Sequence, residues 1–265
     1  LRPVDGGRWD GHPSPMKHQI AFAGARKVDE LRLDDLPTGR VTRLMVAMAD
    51  NALGRPMRVP VLVAKGGKPG PTFGLTAALH GDELNGIAVI HRLFANLDVE
   101  KLRGNVVGAV ILNLPGYFGQ MRHFGDGADL NHLFPGKADG NDSQVWTHRL
   151  MDRIICKLDM LVDLHTASFG RVNSLYVRAD MSNPVVAQMA RLQRPQIILD
   201  NPPSDTTLRG AAQELGINAV TVEIGDPQRF QQAMIRRSLT GVRAVMAEHG
   251  LTRRRKPVDL PPTIV

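Results

Sequence analysis

Residues 72–94 read TFGLTAALHGDELNGIAVIHRLF, and this stretch decides the fold class. Its first part, Thr72–Leu79, is a short apolar run typical of a strand that is covered on both faces. Its last part carries apolar residues such as Ile87 and Ile90 at helical spacing, which predicts an amphipathic helix over Glu83–Asn96. A buried strand that leads directly into a helix favours an α/β sheet.

The same alternation of apolar runs and amphipathic stretches continues along the chain. We therefore predict a mixed, mostly parallel central sheet with helices on both faces. First-turn prolines, Pro184 and Pro227, and candidate caps, Asn183 and Asp226, support two of the helices. The other predicted strands are Val59–Ala64, Asn105–Leu112, Met160–Leu164, Asn173–Arg178, Gln196–Leu199 and Asn218–Ile224, and the other predicted helices are Ser143–Leu158, Pro184–Arg191, Thr207–Leu215 and Pro227–His249.

Composition excludes several classes of protein. The chain has 265 residues, of which 43% are hydrophobic and 22% charged, so it is long enough for one large α/β domain or two small ones. No apolar run approaches the roughly 20 residues of a membrane span, so we expect no membrane partner. The single cysteine, Cys156, excludes a disulfide framework, and its apolar neighbours suggest a core thiol. We expect a cytoplasmic protein.

The net charge of +7 raises the question of nucleic-acid binding. Four of those charges lie in one run, Arg253–Lys256, and removing them leaves +3. No aromatic residues accompany this run, so we interpret it as a solvated tail and expect no nucleic-acid partner. A homo-oligomer is left open.

The sharpest chemical motif is His80-Gly81-Asp82-Glu83, where the predicted strand meets the predicted helix. Ligands gather at the carboxyl ends of strands in open α/β sheets, and imidazole and carboxylate groups both suit zinc. Gly81 would permit a tight turn. The alternative is that Glu83 or Asp82 is a capping carboxylate at the helix start.

A second strand, Met160–Leu164, also ends in a histidine, His165. A ligand from this strand end would complete a site with three protein ligands, which leaves a position open as catalytic zinc requires. Asp163 lies on the same strand face as His165. It either orients a ligand or serves as a buried polar anchor.

A carboxylate interrupts a third apolar strand, at Glu223. A buried glutamate without a partner is costly, so it either faces solvent or works as an acid or base in a cleft. Because the surrounding run is typical of a central strand, we favour the cleft. The long Gly-rich segment Asn113–Gly140 is also typical of a functional loop.

Five motifs follow one another along the chain: His80-Gly-Asp-Glu83, Asp129-Leu-Asn131, Phe134-Pro-Gly136, Asp163-Leu-His165 and Thr221-Val-Glu223. Together and in this order they make the chain resemble the succinylglutamate desuccinylase/aspartoacylase family, within the zinc carboxypeptidase superfamily. The resemblance extends from about Val59 to Phe230, and also takes in residues 165–171 and 207–210.

The resemblance implies a role for each site residue. One zinc per chain would be held by His80, Glu83 and His165. Glu223 would be the general base, and Arg122 would stabilise the oxyanion. Asn131 would help to hold a substrate carboxylate.

The chain departs from the family pattern at His132, where relatives usually have an arginine. Histidine cannot form the bidentate grip that arginine gives a carboxylate. His132 is therefore retained only as a substrate-binding candidate. Arg171, Arg178 or Arg209 are the alternative sources of positive charge, and Arg171 is the one we assign to substrate binding.

The resemblance implies a zinc-dependent hydrolase that cleaves a linear amide bond in a small N-acyl amino acid or acylated amine. The alternatives are a carboxypeptidase-type peptidase and a metal-binding relative without turnover. We expect a tail at residues 1–15, a catalytic domain at 16–250 and a basic, Pro-containing linker at 251–265. The further β-rich domain usual in the family would then be absent.

Overall fold

A nine-stranded sheet forms the centre of the protein. The computed structural model describes residues 22–51, 53–203, 206–253 and 263–265. The strand order is β1-β2-β3-β5-β4-β6-β9-β7-β8, and the central strands β5, β4, β6 and β9 are parallel. The strands are β1 Arg26–Val28, β2 Arg40–Asp50, β3 Pro56–Lys65, β4 Lys68–Ala77, β5 Arg103–Ala109, β6 Met160–His165, β7 Leu175–Ala179, β8 Ile197–Asp200 and β9 Asn218–Ile224.

Helices cover both faces of this sheet. Helices α1, α4 and α6 enclose one apolar core, and α3 and α5 pack over a second core on the opposite face. The predicted fold class, a mixed and mostly parallel sheet between two helix layers, is confirmed. The helices are α1 Asn85–Ala95, α2 Leu114–Gly119, α3 Asp142–Arg153, α4 Pro184–Leu192, α5 Leu208–Glu214 and α6 Gln232–Glu248.

Capping residues and first-turn prolines predicted the start of one helix correctly and the start of another incorrectly. The Asn183 side chain accepts hydrogen bonds from two backbone N–H groups at the start of α4, as predicted. The prediction that Pro227 starts the last helix is wrong. Helix α6 begins at Gln232, because the carboxylate of Asp226 is bonded to the Gln231 side chain instead of capping a helix.

Four further features differ from the expectations. Strand β2 was not predicted, and α2 forms within the segment expected to be a loop. Glu83 precedes α1 by two residues and does not open it. Cys156 is exposed and is no core thiol.

A polar patch crosses the central strands on the face covered by α3 and α5. In-register pairing aligns Thr76 with Asp163, and His165 with Glu223. Strand β7 runs antiparallel to β9 and places Tyr176 opposite Glu223. Side chains of directly paired residues lie on the same face, so these groups share one side of the sheet.

The predicted tail at residues 1–15 lies outside the described residues, as does most of the predicted linker at 251–265. No helix within the described ranges is long and apolar enough to cross a membrane.

Candidate metal centre

Three side chains converge at the carboxyl ends of β4 and β6. His80 and Glu83 lie in the turn between β4 and α1, and His165 is the last residue of β6. Their ligand atoms lie within 4.8 Å of one another, and all three residues are buried. These are the three residues that the sequence analysis named as metal ligands.

The spacing of these atoms suits a metal ion. His80 Nδ1 lies 2.8 Å from Glu83 Oε1 and 3.2 Å from His165 Nδ1, and His165 Nδ1 lies 3.0 Å from Glu83 Oε2. Ligand atoms at zinc distances and tetrahedral angles are about 3.3–3.6 Å apart. The observed distances, which involve both oxygens of Glu83, are slightly shorter than this, so a modest opening would admit an ion.

In both imidazole rings, a carboxylate contacts Nε2, the nitrogen on the opposite side of the ring from the candidate ligand atom Nδ1. Asp163 Oδ2 lies 2.8 Å from His165 Nε2, and its other oxygen accepts a hydrogen bond from the hydroxyl of Thr76 at 2.7 Å. Asp129 Oδ1 lies 3.1 Å from His80 Nε2. Such carboxylates fix the ring orientation of metal-bound histidines and make the ligand nitrogen more basic. Asp163 therefore orients a candidate ligand, which is the first of the two roles considered for it.

Glu83 is held as an anion. Burial raises the pKa of this carboxyl, but the neighbouring His80 and His165 outweigh burial and lower the pKa to about 2. The backbone N–H of Thr166 also donates to Glu83 Oε2 at 2.9 Å. A buried carboxylate so placed is ready to bind a cation.

Arg122 reaches the same point from the loop after α2. Its Nε donates to Asp129 Oδ2 at 3.0 Å, and its Nη2 forms an ion pair with the same oxygen at 2.9 Å. Nη1 donates to Ser168 Oγ at 3.1 Å and lies 3.5 Å from Glu83 Oε1. The guanidinium is thus fixed at the edge of the candidate metal centre.

Glu223 lies beside the centre on β9, paired in register with His165. Its side chain is 11% exposed. Burial raises the pKa of this carboxyl above its usual value, against the lowering effect of His165. Asn173 Nδ2 donates to Glu223 Oε2 at 3.4 Å. Glu223 is therefore a largely buried carboxylate beside the candidate metal centre, and its role as an acid or base stays a prediction.

Backbone packing fixes the turn that carries His80 and Glu83. A Cβ atom on Gly81 would lie 1.9 Å from the backbone of Gly116, so the two loops touch at this glycine. The glycine is needed for this close approach, and its φ is not positive. Gly81 also lies in the tight turn that was expected, which a hydrogen bond from the Glu83 N–H to the His80 carbonyl closes at 3.2 Å.

The other predicted substrate-binding residues lie further out. Asn131 Oδ1 accepts a hydrogen bond from the backbone N–H of Leu208 and so ties its loop to α5. The His132 side chain is 70% exposed, 3.9 Å from Asp129. Arg171 is exposed. Their roles in substrate binding stay predictions.

Several residues that support the site were not predicted. Asn85 is buried at the start of α1, donates to the carbonyl of Ile224 at 2.7 Å and accepts from the backbone N–H of Gln231. Thr76 and Asn173 support Asp163 and Glu223. A polar residue inside an apolar run is the signal that could have indicated Thr76, whereas the partners of Asn85 are distant in sequence.

The fold and this group of ligands define an α/β protein with a candidate metal centre at its strand ends. Comparison with known families agrees. A family model described as "Succinylglutamate desuccinylase/Aspartoacylase catalytic domain" matches residues 69–249. The chain therefore belongs to the succinylglutamate desuccinylase/aspartoacylase family.

Individual relatives, found by sequence and by structure, agree with this family assignment. The chain is 33% identical over 125 residues to N-alpha-acetyl-L-2,4-diaminobutyric acid deacetylase from Halomonas elongata, a match that covers 47% of this chain and 36% of that protein. A succinylglutamate desuccinylase/aspartoacylase structure from Rhodobacter sphaeroides superposes with a TM-score of 0.74 at 23% identity, over 85% of this chain and 70% of that one. The product-bound ectoine utilization protein EutE (DoeB) from Ruegeria pomeroyi also gives 0.74, at 22% identity, over 87% and 73%. At these identities the two structures show the shared fold.

Proposed function

We propose that this protein is a zinc-dependent deacylase that hydrolyses the amide bond of a small N-acyl amino acid or acylated amine. The observation that carries the proposal is the convergence of His80, Glu83 and His165 beside the buried carboxylate of Glu223. Family membership and the deacetylase name of the Halomonas elongata relative support the same reaction class.

The residues present fit zinc. Two imidazole nitrogens and one carboxylate oxygen are the protein ligands of a common type of catalytic zinc site. Asp163 and Asp129 fix the histidine rings, as is usual behind metal-bound histidines. When bound, zinc would polarise the substrate carbonyl and lower the pKa of a bound water to about 7.

The side chains around this point supply the remaining chemistry. Glu223 accepts a proton from the attacking water, whose oxygen adds to the carbonyl carbon, and then gives that proton to the amide nitrogen. The C–N bond breaks to give a carboxylic acid and an amine, and the acid then loses its proton to solvent. Arg122 donates hydrogen bonds to the carbonyl oxygen as negative charge develops there. Asp129 and Ser168 hold the guanidinium in place for this contact.

The proposed substrate class follows from the relatives and from the charges at the site. The Halomonas elongata protein is named for an acetylated diamino acid, which is both an N-acyl amino acid and an acylated amine. The aligned segment spans only about a third of that protein, so the full activity of this chain is proposed at the level of the class. The cations Arg122 and Arg178 make an anionic substrate suitable.

Glu223→Gln tests this function. The variant removes the base but keeps the shape, so it should fold, keep the metal content of the wild type and lose at least about 100-fold in kcat. The assay is amine release from a panel of N-acetyl amino acids with zinc added. Glu100→Gln, on an exposed turn, is the matched control. Near-normal turnover by Glu223→Gln would refute the proposed role of the base.

A further inference from the structure

Arg178 extends from β7 to the carboxylate proposed as the base. Its Nε lies 3.8 Å from Glu223 Oε1, and Nη2 donates to the hydroxyl of Tyr176 at 3.0 Å. The guanidinium also lies 5.5 Å from the centre of the Tyr176 ring. Tyr176 thus holds Arg178 in one orientation beside Glu223.

This arginine is still able to bind a further group. Its side chain is 42% exposed, whereas that of Glu223 is 11% exposed, so the cation is open to solvent beside a largely buried carboxylate. The contact to Glu223 is long and uses one nitrogen. Within the described part of the chain, Nη1 of Arg178 has no hydrogen-bond partner.

The other cations considered for substrate binding are placed less favourably. Arg209 is 1% exposed and donates to Asn201 and Gln213, so its guanidinium is committed to the protein. Arg171 is exposed, and its nearest described link to the site is a backbone bond to Ser168. His132 lacks the two-pronged geometry of a guanidinium.

We propose that Arg178 is a specificity-determining residue that binds the carboxylate of the leaving amino acid. The inference rests on the proposed function. In an N-acyl α-amino acid, the nitrogen that accepts the proton from Glu223 is bonded to the carbon that bears the carboxylate. A cation 3.8 Å from Glu223 is therefore within reach of that carboxylate. A guanidinium with a free edge offers it charge-assisted hydrogen bonds.

The test compares two substrates of nearly the same shape, Nα-acetyl-L-2,4-diaminobutyrate and its α-carboxamide, which lacks the negative charge. For Arg178→Gln we expect KM for the carboxylate to rise by about 10- to 100-fold, the loss expected for a hydrogen bond to a charged group. We expect kcat to change by less than about threefold and kcat/KM for the carboxamide to stay near the wild-type value. Arg178→Lys should recover part of the loss, because lysine keeps the charge but cannot donate two parallel hydrogen bonds as a guanidinium does.

Arg191→Gln, an exposed arginine on α4, is the control and should leave both substrates unaffected. The inference is overturned if Arg178→Gln discriminates between carboxylate and carboxamide as well as the wild type does. If the wild type with zinc hydrolyses neither compound, the proposed function fails for this class. Binding of the two compounds, measured by calorimetry, then decides the inference. Weaker binding of the carboxylate alone to Arg178→Gln supports it, and equal or undetectable binding to both proteins overturns it.

Discussion

Asp163 Oδ2 lies 2.8 Å from Nε2 of His165, and this contact turns the opposite nitrogen of the ring towards Glu83. The two residues are separated by one position on β6, so the strand itself sets their spacing. Asp163 is in turn fixed by the hydroxyl of Thr76 on the neighbouring strand. The pairing of β4 with β6 thus fixes Asp163, and Asp163 fixes the orientation of the His165 ring.

Asp163→Asn should weaken metal binding. The amide keeps the size of the side chain but removes the charge that supports the ring, and changes of this kind reduce metal affinity by about 10- to 100-fold. Competition with a chromophoric chelator measures the affinity. Asp152→Asn, on the exposed side of α3, provides the comparison. Unchanged affinity in Asp163→Asn would show that this contact does not support the metal.

Gly81→Ala should disturb the turn that carries His80 and Glu83. The added Cβ would lie 1.9 Å from the backbone of Gly116, so one loop must move. We expect a loss of about 1–3 kcal/mol in the free energy of unfolding, as for other overpacked sites. Gly67→Ala is a matched control, because a Cβ added there would have nothing within 4 Å and the φ of Gly67 is not positive. Equal melting temperatures for the two variants would contradict a tight contact at Gly81.

Arg122→Lys should lower turnover without releasing the metal. Lysine keeps the charge but cannot hold both Asp129 and Ser168 while donating to the substrate oxygen. Removal of a donor that acts on a developing oxyanion costs about 100- to 1000-fold in kcat. Metal analysis of the same samples separates the two effects. A loss of metal in proportion to activity would assign Arg122 to structural support of the ligands.

His91 should make the protein less stable in acid. The side chain is 3% exposed, and burial lowers the pKa to about 4. The unfolded chain, with a histidine pKa near 6.5, takes up this proton first as the pH falls. The free energy of unfolding should therefore decrease between pH 6.5 and 4, by up to about 3 kcal/mol from this residue.

Replacing His91 by leucine should remove that component. Urea unfolding at several pH values gives the difference between the wild type and His91→Leu, in which the contributions of other histidines cancel. As the pH is lowered from 7.5 to 4.5, the free energy of unfolding of the wild type should fall relative to that of His91→Leu. A difference that is constant over this range would contradict the lowered pKa.

The fold class and the residues of the candidate metal centre could be predicted because their signals are local. A buried strand that ends in a histidine is visible at His80 and at His165 without knowledge of the partners. Strand β2 was missed although Leu44, Val46 and Met48 alternate along it, which is the pattern of a half-buried strand. The strand is thus visible in the sequence as a period-2 pattern.

Other features depend on pairing between distant segments. The sequence could not separate Arg178 from Arg171 and Arg209, since the antiparallel register of β7 and β9 is what brings it to Glu223. The start of α6 was misplaced because Asp226 and Pro227 have the residue types of a helix start. The side chain of Gln231 engages Asp226 across the intervening turn, and no local pattern indicates this contact.

The most direct test of the central claim is the metal dependence of amide hydrolysis. The protein is stripped with a chelator, reconstituted with one equivalent of zinc, and assayed for amine release from N-acetyl-L-2,4-diaminobutyrate and other N-acetyl amino acids, in parallel with His165→Ala. We predict that the stripped protein releases no amine and that added zinc restores amine release. The variant His165→Ala should neither retain zinc nor release amine. Hydrolysis that survives chelation, or zinc binding without hydrolysis of any N-acetyl compound, would contradict the claim.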